Sequence, residues 1–171
     1  MPIYHKLGNF PQKRHVVFQS PKGNHYYEQL FGTEGFNGFS SLLYHVHRPT
    51  QVKEILKSYS VAPKIAIEKN IKALLLKGFD VKPADDFLDS RKTVLLNSDC
   101  HIGLAAPKQS MKTYFYKNAD ADEMLFIHKG KGVLRTFMGN IPFEYGDYLI
   151  ITRGMIYQLE FDSADIRIFY V

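Results

Sequence analysis

The sequence predicts an all-β dominated fold, an antiparallel β-barrel or jelly roll preceded by an extended N-terminal arm and a short helix. Aromatic residues make up 14% of the chain and are all Phe or Tyr, which favour strands. From Lys92 onward, short apolar runs recur every few residues, and most are separated by turn residues such as Asn97-Ser98-Asp99 and Gly139-Asn140. Short strands with such turns are typical of sandwiches and barrels.

Eight apolar runs are expected to form the strands of a barrel that we place at residues 92–171. The runs are residues 93–96, 102–106, 113–116, 124–127, 133–138, 147–151, 155–161 and 166–171. Their lengths match those of strands in globular proteins.

Residues 1–91 are expected to form the N-terminal arm and an accessory segment of strands and a helix. Residues 1–40 are rich in Gly, Pro and Asn and predict an extended arm with turns. Three phenylalanines of this arm, Phe31, Phe36 and Phe39, lie among glycines and have no clear local core to join. We therefore expect them to pack inward or against a partner.

The accessory segment is predicted to alternate between strands, a helix and a loop. Residues 40–48 predict a strand, and Thr50 is a candidate N-cap for a short helix that ends at about Tyr59. Isoleucines and leucines within 64–77 predict further strands. Residues 78–91 predict a connecting loop.

Composition excludes several classes of function. A single cysteine, Cys100, cannot form an internal disulfide, so no oxidising compartment is implied. The start of the chain does not resemble a signal peptide, and no apolar run is long enough to cross a bilayer. The net charge of +5 arises in the first half, but its lysines are spaced out, as on a solvated face. We expect a cytoplasmic protein with no nucleic-acid or membrane partner.

The glycine spacing in the second half of the chain fits the two motifs of metal-binding cupin barrels. In such barrels two histidines separated by one residue, a glutamate and a third histidine converge on one divalent metal. The first motif fits from Ser110 to Gly130, and the second begins at Gly146 and retains Gly154. The sequence therefore predicts a cupin-like barrel.

One of the four ligand positions of this frame keeps its ligand. Tyr116 and Asn118 stand in place of the paired histidines, and Tyr157 stands in place of the third, whereas the glutamate is retained as Glu123. One carboxylate beside an amide and two phenols is a poor site for iron, manganese or zinc. We expect these side chains to point inward and hydrogen-bond with one another without a metal. A ferric site on two phenolates and the carboxylate is the alternative.

His45 and His47 are a weak alternative pair of metal ligands. On a strand, residues i and i+2 share a face and could chelate. Catalytic metal sites usually have three protein ligands, and no third ligand of obvious spacing accompanies this pair. Packing, or contact with a neighbouring barrel or subunit, is the competing interpretation. The sequence thus predicts no catalytic and no cofactor-binding residue.

Several segments resemble the N-terminal part of homogentisate 1,2-dioxygenases, and together they span essentially the whole chain. They are residues 26–32, 40–44, 45–49, 97–105, 126–132 and 146–154. The Tyr-x-Glu-Gln-Leu-x-Gly element at 26–32 is fairly specific, whereas Gly-Asp-Tyr at 146–148 is generic to cupins.

The resemblance implies an Fe(II)-dependent dioxygenase of tyrosine and phenylalanine catabolism that converts homogentisate and O2 to maleylacetoacetate. It also implies chains of two barrels that assemble into trimers and larger homo-oligomers. The iron ligands of the family, two histidines and a glutamate, lie in its C-terminal barrel. We therefore expect this chain to bind no cofactor and to be inactive alone, with that barrel or other subunits as its partners. The alternative is a non-enzymatic cupin-like module that binds a small ligand or a partner.

Overall fold

The computed structural model describes residues 18–35, 37–67 and 72–171 of the chain. It divides into two compact units, Met1–Val61 and Ala62–Val171. The regular structure of both units is dominated by antiparallel strands. Within the described residues, no helix is long and apolar enough to span a membrane.

The first unit contains a two-stranded antiparallel sheet, β1 (Tyr27–Glu34) and β2 (Asn37–His45). Tyr27 pairs with His45, and a bulge interrupts the register between Gly32 and Glu34. Residues 27–40 of the predicted arm therefore take part in a hairpin, and the strand predicted over 40–48 ends at His45. Phe39 is exposed and Phe31 is half-buried, while Phe36 lies outside the described residues.

The helix predicted from Thr50 to Tyr59 is wrong, and so are the strands predicted within 64–77 wherever the structure describes that range. Neither helix nor strand occurs in the described parts of that stretch, 50–67 and 72–77. The apolar residues that suggested the helix, including Ile55 and Leu56, are largely exposed. Because isolated short helices are marginal in water, such a helix requires a surface against which to bury its apolar side.

In the part of the chain that the structure describes, the α-helix lies instead within the predicted loop. A 3-10 turn covers Gly78–Asp80, and α1 covers Phe87–Ser90. The carboxylate of Asp86 caps α1 by accepting the main-chain N–H groups of Leu88 and Asp89 at 3.0 and 3.3 Å. This cap satisfies donors that have no partner within a helix.

In the described residues of the second unit, nine strands form two antiparallel sheets. They are β3 (Lys92–Leu96), β4 (His101–Ala105), β5 (Tyr116–Lys117), β6 (Glu123–Lys129), β7 (Gly132–Thr136), β8 (Gly139–Phe143), β9 (Tyr148–Ile151), β10 (Ile156–Phe161) and β11 (Arg167–Tyr170). One sheet has the order β5-β10-β7-β8, and the other has the order β3-β4-β11-β6-β9. The sequence predicted turn residues at the start of β8 and no strand. This edge strand contains Pro142, which cannot donate to a ladder and is tolerated at sheet edges.

Both sheets contribute to one buried core. Its members are Phe87, Ala105, Met111, Leu125, Ile127, Leu134, Phe143, Leu149, Ile151, Tyr157, Leu159, Ile166, Ile168 and Tyr170. Two antiparallel sheets closed around a shared apolar interior define a cupin-like jelly roll, as the sequence predicts. Phe87 of α1 is fully buried, so residues ahead of β3 also contribute to the core.

Candidate functional site

Three of the four cupin ligand positions meet inside the barrel. Glu123 is the first residue of β6, and Tyr157 of β10 pairs in register with Tyr116 of β5. The phenol of Tyr157 donates a hydrogen bond of 2.8 Å to Glu123 Oε2. The rings of Tyr116 and Tyr157 pack edge to face with centroids 5.5 Å apart. The buried carboxylate thus accepts a hydrogen bond from a phenol at a position where the cupin motif has an imidazole.

Asn118, the fourth position, serves a turn instead of the interior cluster. Its Oδ1 accepts the N–H groups of Asp120 and Ala121 at 3.0 and 3.1 Å, and its carbonyl accepts the N–H of Gly154 at 2.7 Å. The expectation that Asn118 bonds within the cluster is wrong. Asparagine readily bonds to the main chain two residues ahead, and this local turn outweighs the longer contact.

Arg91 completes the cluster, and the sequence reasoning missed it. Its Nη1 donates to Glu123 Oε1 at 3.2 Å. The guanidinium carbon lies 5.6, 5.5 and 5.8 Å from the ring centroids of Phe87, Tyr116 and Tyr170. Arg91 stands outside both cupin motifs, between α1 and β3. Its side chain is 24% exposed, against 8% for Glu123.

Electrostatics favours neutral phenols and a charged guanidinium in this cluster. Burial, followed by the nearby Glu123, raises the pKa of Tyr157 well above its usual value and raises the pKa of Tyr116 in the same direction. Burial opposes the charge of Arg91, but Tyr116 and Glu123 outweigh it and raise its pKa. Protonated phenols donate hydrogen bonds and are poor metal ligands at neutral pH, since the ligating form of an acidic group is the deprotonated one.

These shifts predict a loss of stability at alkaline pH that depends on Tyr157. A phenol whose pKa is higher in the folded than in the unfolded protein stabilises the fold below the unfolded pKa of about 10, and this contribution is lost as the pH rises further. We expect the free energy of unfolding, measured with urea at pH 8, 10 and 11, to fall less steeply with pH for Tyr157→Phe than for wild type. Tyr145→Phe, at an exposed phenol, is the control. A Tyr157→Phe profile as steep as the wild-type profile would contradict this assignment.

The cluster forms one wall of a cavity of about 660 Å³. Arg91, Glu123 and Tyr170 contribute to that wall. The remaining lining residues are Ser98, Asp99, Cys100, His101, Asn118, Asp120, Ala121, Asp122, Met124, Ile150, Arg153 and Val171. Its volume lies within the range of small-molecule pockets.

The donor set of the barrel does not fit a divalent metal. In the described residues, no group of three or more His, Cys, Asp or Glu is arranged to hold a metal ion. Glu123 already pairs with the positive charge of Arg91, which would repel a second cation beside it. Hard divalent cations require several carboxylate or imidazole ligands.

The weak alternative pair is separated by the end of a strand. His45 Nε2 lies 2.9 Å from Gln29 Oε1 on the neighbouring strand of the hairpin. Strand β2 ends at His45, and His47 lies in the following bend with an exposed side chain. The rule that places residues i and i+2 on one face of a strand therefore does not apply to these two histidines.

Two antiparallel sheets around one core, with an altered ligand cage inside, define a cupin-like domain. Residues 9–171 match the family described as "Homogentisate 1,2-dioxygenase N-terminal". The chain belongs to this family, which confirms the resemblance found in its sequence segments.

A curated relative from Saccharolobus solfataricus, named as a putative dioxygenase, is 36% identical over 163 residues. The alignment covers 94% of this chain and 42% of the relative, so the chain spans less than half the length of that protein.

Solved cupin structures resemble the chain more distantly. A cupin superfamily protein from Desulfitobacterium hafniense is 12% identical, with 59% of this chain and 90% of that chain covered at a TM-score of 0.47. A cupin-2 domain containing protein from Shewanella frigidimarina is 17% identical, with coverages of 47% and 76% and a TM-score of 0.42. Because these scores are low, the fold assignment depends on the two sheets and on the family match.

Proposed function

We propose that this chain is the non-catalytic N-terminal barrel of an Fe(II)-dependent dioxygenase that cleaves homogentisate with O2 to give maleylacetoacetate. The observation that carries the proposal is the cluster at the cupin ligand positions, where Glu123 bonds to Tyr157 and Arg91. Such a cluster stabilises a barrel and offers no open coordination positions. The family match and the dioxygenase name of the relative support the enzyme class.

In the proposed enzyme, ring cleavage belongs to a second barrel, whose two histidines and one glutamate hold Fe(II). Non-haem Fe(II) oxygenases use this facial set because it leaves positions for substrate and O2. The barrel described here contributes a folded support for that second barrel. The substrate of the enzyme, its iron and its place in tyrosine and phenylalanine catabolism are parts of the proposal.

The proposal predicts that the isolated chain does not turn over homogentisate. Oxygen uptake with homogentisate, Fe(II) and ascorbate should equal uptake in the same mixture without protein. The physical reason is the ligand count, since one buried carboxylate remains at the cupin positions and is already paired. Uptake above the protein-free rate that disappears in Glu123→Gln would place ring cleavage in this barrel and refute the proposal.

The outer face of the five-stranded sheet has features of a surface that binds a partner. Its strand registers place a set of large apolar side chains opposite the core. They are Leu95, Ile102, Leu104, Met124, Phe126, Tyr148, Ile150 and Phe169. Leu95, Tyr148 and Ile150 are exposed, and the other five are half-buried. Antiparallel sheets commonly have one polar, solvated face, and large exposed apolar patches usually mark interfaces. We propose that a second barrel or another subunit of the same enzyme covers this face.

This proposal predicts that the isolated chain self-associates through the outer face. Tyr148 is 62% exposed and its ring lies 4.7 Å from that of Phe126. We expect Tyr148→Glu to shift sedimentation toward the monomer, because a desolvated carboxylate in an apolar contact is costly. Tyr148→Phe, which keeps the apolar surface, should sediment like wild type. A wild-type chain that stays monomeric at high concentration would count against this surface.

The cavity beside Arg91 supports a second candidate, a non-enzymatic module that binds a small ligand. Its volume suits a small molecule, and Arg153 and His101 add polar groups to the lining. Thermal shifts with a panel of small acids and bases separate the two functions. The binding module would be favoured by two results together. A small molecule would raise the melting temperature of the isolated chain in a saturable manner, and a second barrel would leave that melting temperature unchanged.

A further inference from the structure

We propose that the barrel interior is a built cation site whose resident ligand is the guanidinium of Arg91. Truncating this side chain should leave a pocket that takes up a small guanidinium compound from solution. This inference goes beyond the proposed function, because it assigns a ligand chemistry to the interior cluster. Its test measures stability rather than turnover, so it can fail or succeed independently of the enzyme assignment.

The geometry of the cluster is that of an aromatic cage with one acidic wall. Three rings, those of Phe87, Tyr116 and Tyr170, surround the guanidinium carbon at 5.5 to 5.8 Å. These distances lie within the range of favourable cation–π contacts. Glu123 supplies the negative charge through Oε1 at 3.2 Å. Aromatic rings combined with a carboxylate are a recurring means of binding organic cations.

Every wall of the cage has at least one contact that does not involve Arg91. Tyr157 holds Glu123 Oε2 at 2.8 Å, and Tyr170 Oη lies 3.0 Å from Thr93 Oγ1. Phe87 is fully buried in the core. Tyr116, the fourth wall, packs edge to face against Tyr157 with ring centroids 5.5 Å apart. We therefore expect the cage to persist when Arg91 is shortened.

Arg91 reaches the cage from the chain segment that links α1 to β3. It follows α1 directly in extended backbone conformation, and its N–H bonds to the carbonyl of Leu88 at 3.4 Å. Arg91, Glu123 and Tyr170 also line the 660 Å³ cavity. A small cation could therefore reach the vacated cage from solvent in a truncated variant.

The cage suits a guanidinium better than an ammonium or a metal ion. Guanidinium is planar, delocalised and weakly hydrated, so it stacks on rings at a low desolvation cost. An ammonium is a compact and strongly hydrated charge. A divalent metal requires several anionic or imidazole ligands, whereas the cage offers one carboxylate.

Chemical rescue tests the proposal. Melting temperatures of Arg91→Ala are measured with millimolar ethylguanidinium and with the same concentration of ethylammonium. We expect ethylguanidinium to raise the melting temperature of Arg91→Ala by several degrees in a saturable manner, and ethylammonium to raise it by less. Wild type should not respond.

Arg135→Ala is a matched control, since Arg135 also pairs with a carboxylate and lies 5.8 Å from an aromatic ring, that of Phe115. Arg135 lies at the surface, so its truncation should create no responsive pocket. The double variant Arg91→Ala/Glu123→Gln should lose the response, because the acidic wall is gone.

The proposal is overturned if ethylguanidinium does not raise the melting temperature of Arg91→Ala. Three further outcomes of the melting experiments would also overturn it. They are an equal response in Arg135→Ala, an equal response to both cations, and a response that survives Glu123→Gln. If Arg91→Ala does not fold alone, its refolding yield with and without ethylguanidinium becomes the readout, and equal yields overturn the proposal. A larger stabilisation of Arg91→Ala by Mn²⁺ or Zn²⁺ would instead identify a metal site that Arg91 blocks.

Discussion

Replacing Glu123 with leucine is expected to lower the free energy of unfolding by about 2–4 kcal/mol. The change leaves the guanidinium of Arg91 and the buried phenol of Tyr157 without their acceptor. Removing one partner of a buried ion pair costs roughly 3–5 kcal/mol, and we set the lower range because the Arg91 side chain is 24% exposed.

Urea unfolding near neutral pH measures this effect. Glu123→Gln keeps the volume and one acceptor oxygen for Tyr157, so it should cost less than Glu123→Leu. In the background of Arg91→Met, Glu123→Leu should lower the free energy of unfolding by less, because that variant has no guanidinium that would be left without a carboxylate partner. A cost of Glu123→Leu below about 1 kcal/mol, the range of exposed pairs, would mean that the pair is effectively solvated.

The second large effect is expected for Phe87→Ala, which should lower the free energy of unfolding by about 3–5 kcal/mol. Phe87 is fully buried in the core and its ring also faces the guanidinium of Arg91. The substitution removes apolar burial and leaves a cavity beside β4. It should therefore weaken both the core and the cage.

Phe79→Ala is the control for this prediction. Phe79 lies in the same connecting stretch but is 59% exposed, so its removal should cost less than 1 kcal/mol by the usual range for surface substitutions. Equal costs for Phe79→Ala and Phe87→Ala would show that the stretch before β3 is not part of the barrel core.

Much of the barrel could be predicted from the sequence because its strands are short apolar runs bounded by turn residues. The runs around Leu125 and Leu159 became β6 and β10, and both side chains are buried as such runs require. Strand β8 escaped prediction because it follows Gly139 and contains Pro142. Its place in the sheet depends on pairing with β7, which no local pattern records.

Residues 50–77, which include the end of the first unit and the start of the second, show the opposite error. Their apolar spacing predicted a helix and strands, yet Ile55 and Leu56 are exposed in the first unit and Ile65 and Leu75 are exposed in the second. Local propensity is a weak guide where no surface is available to bury the apolar side.

The candidate site was predictable where motif spacing controls it. The cupin frame led to Tyr116, Glu123 and Tyr157, because a strand frame fixes which side chains face inward. It failed for Asn118, whose side chain is used by its own turn. Arg91 could not be found in this way, since its contact with Glu123 joins residues 32 positions apart through the tertiary fold.

We propose that the interior of this barrel is held by Arg91, Glu123 and two phenols and binds no metal. Elemental analysis of the purified chain after incubation with Fe(II), Mn²⁺ or Zn²⁺ and desalting tests it most directly. We predict substoichiometric metal that is the same in wild type and Glu123→Ala. Stoichiometric iron in wild type that disappears in Glu123→Ala would contradict the claim and show that the carboxylate ligates a metal.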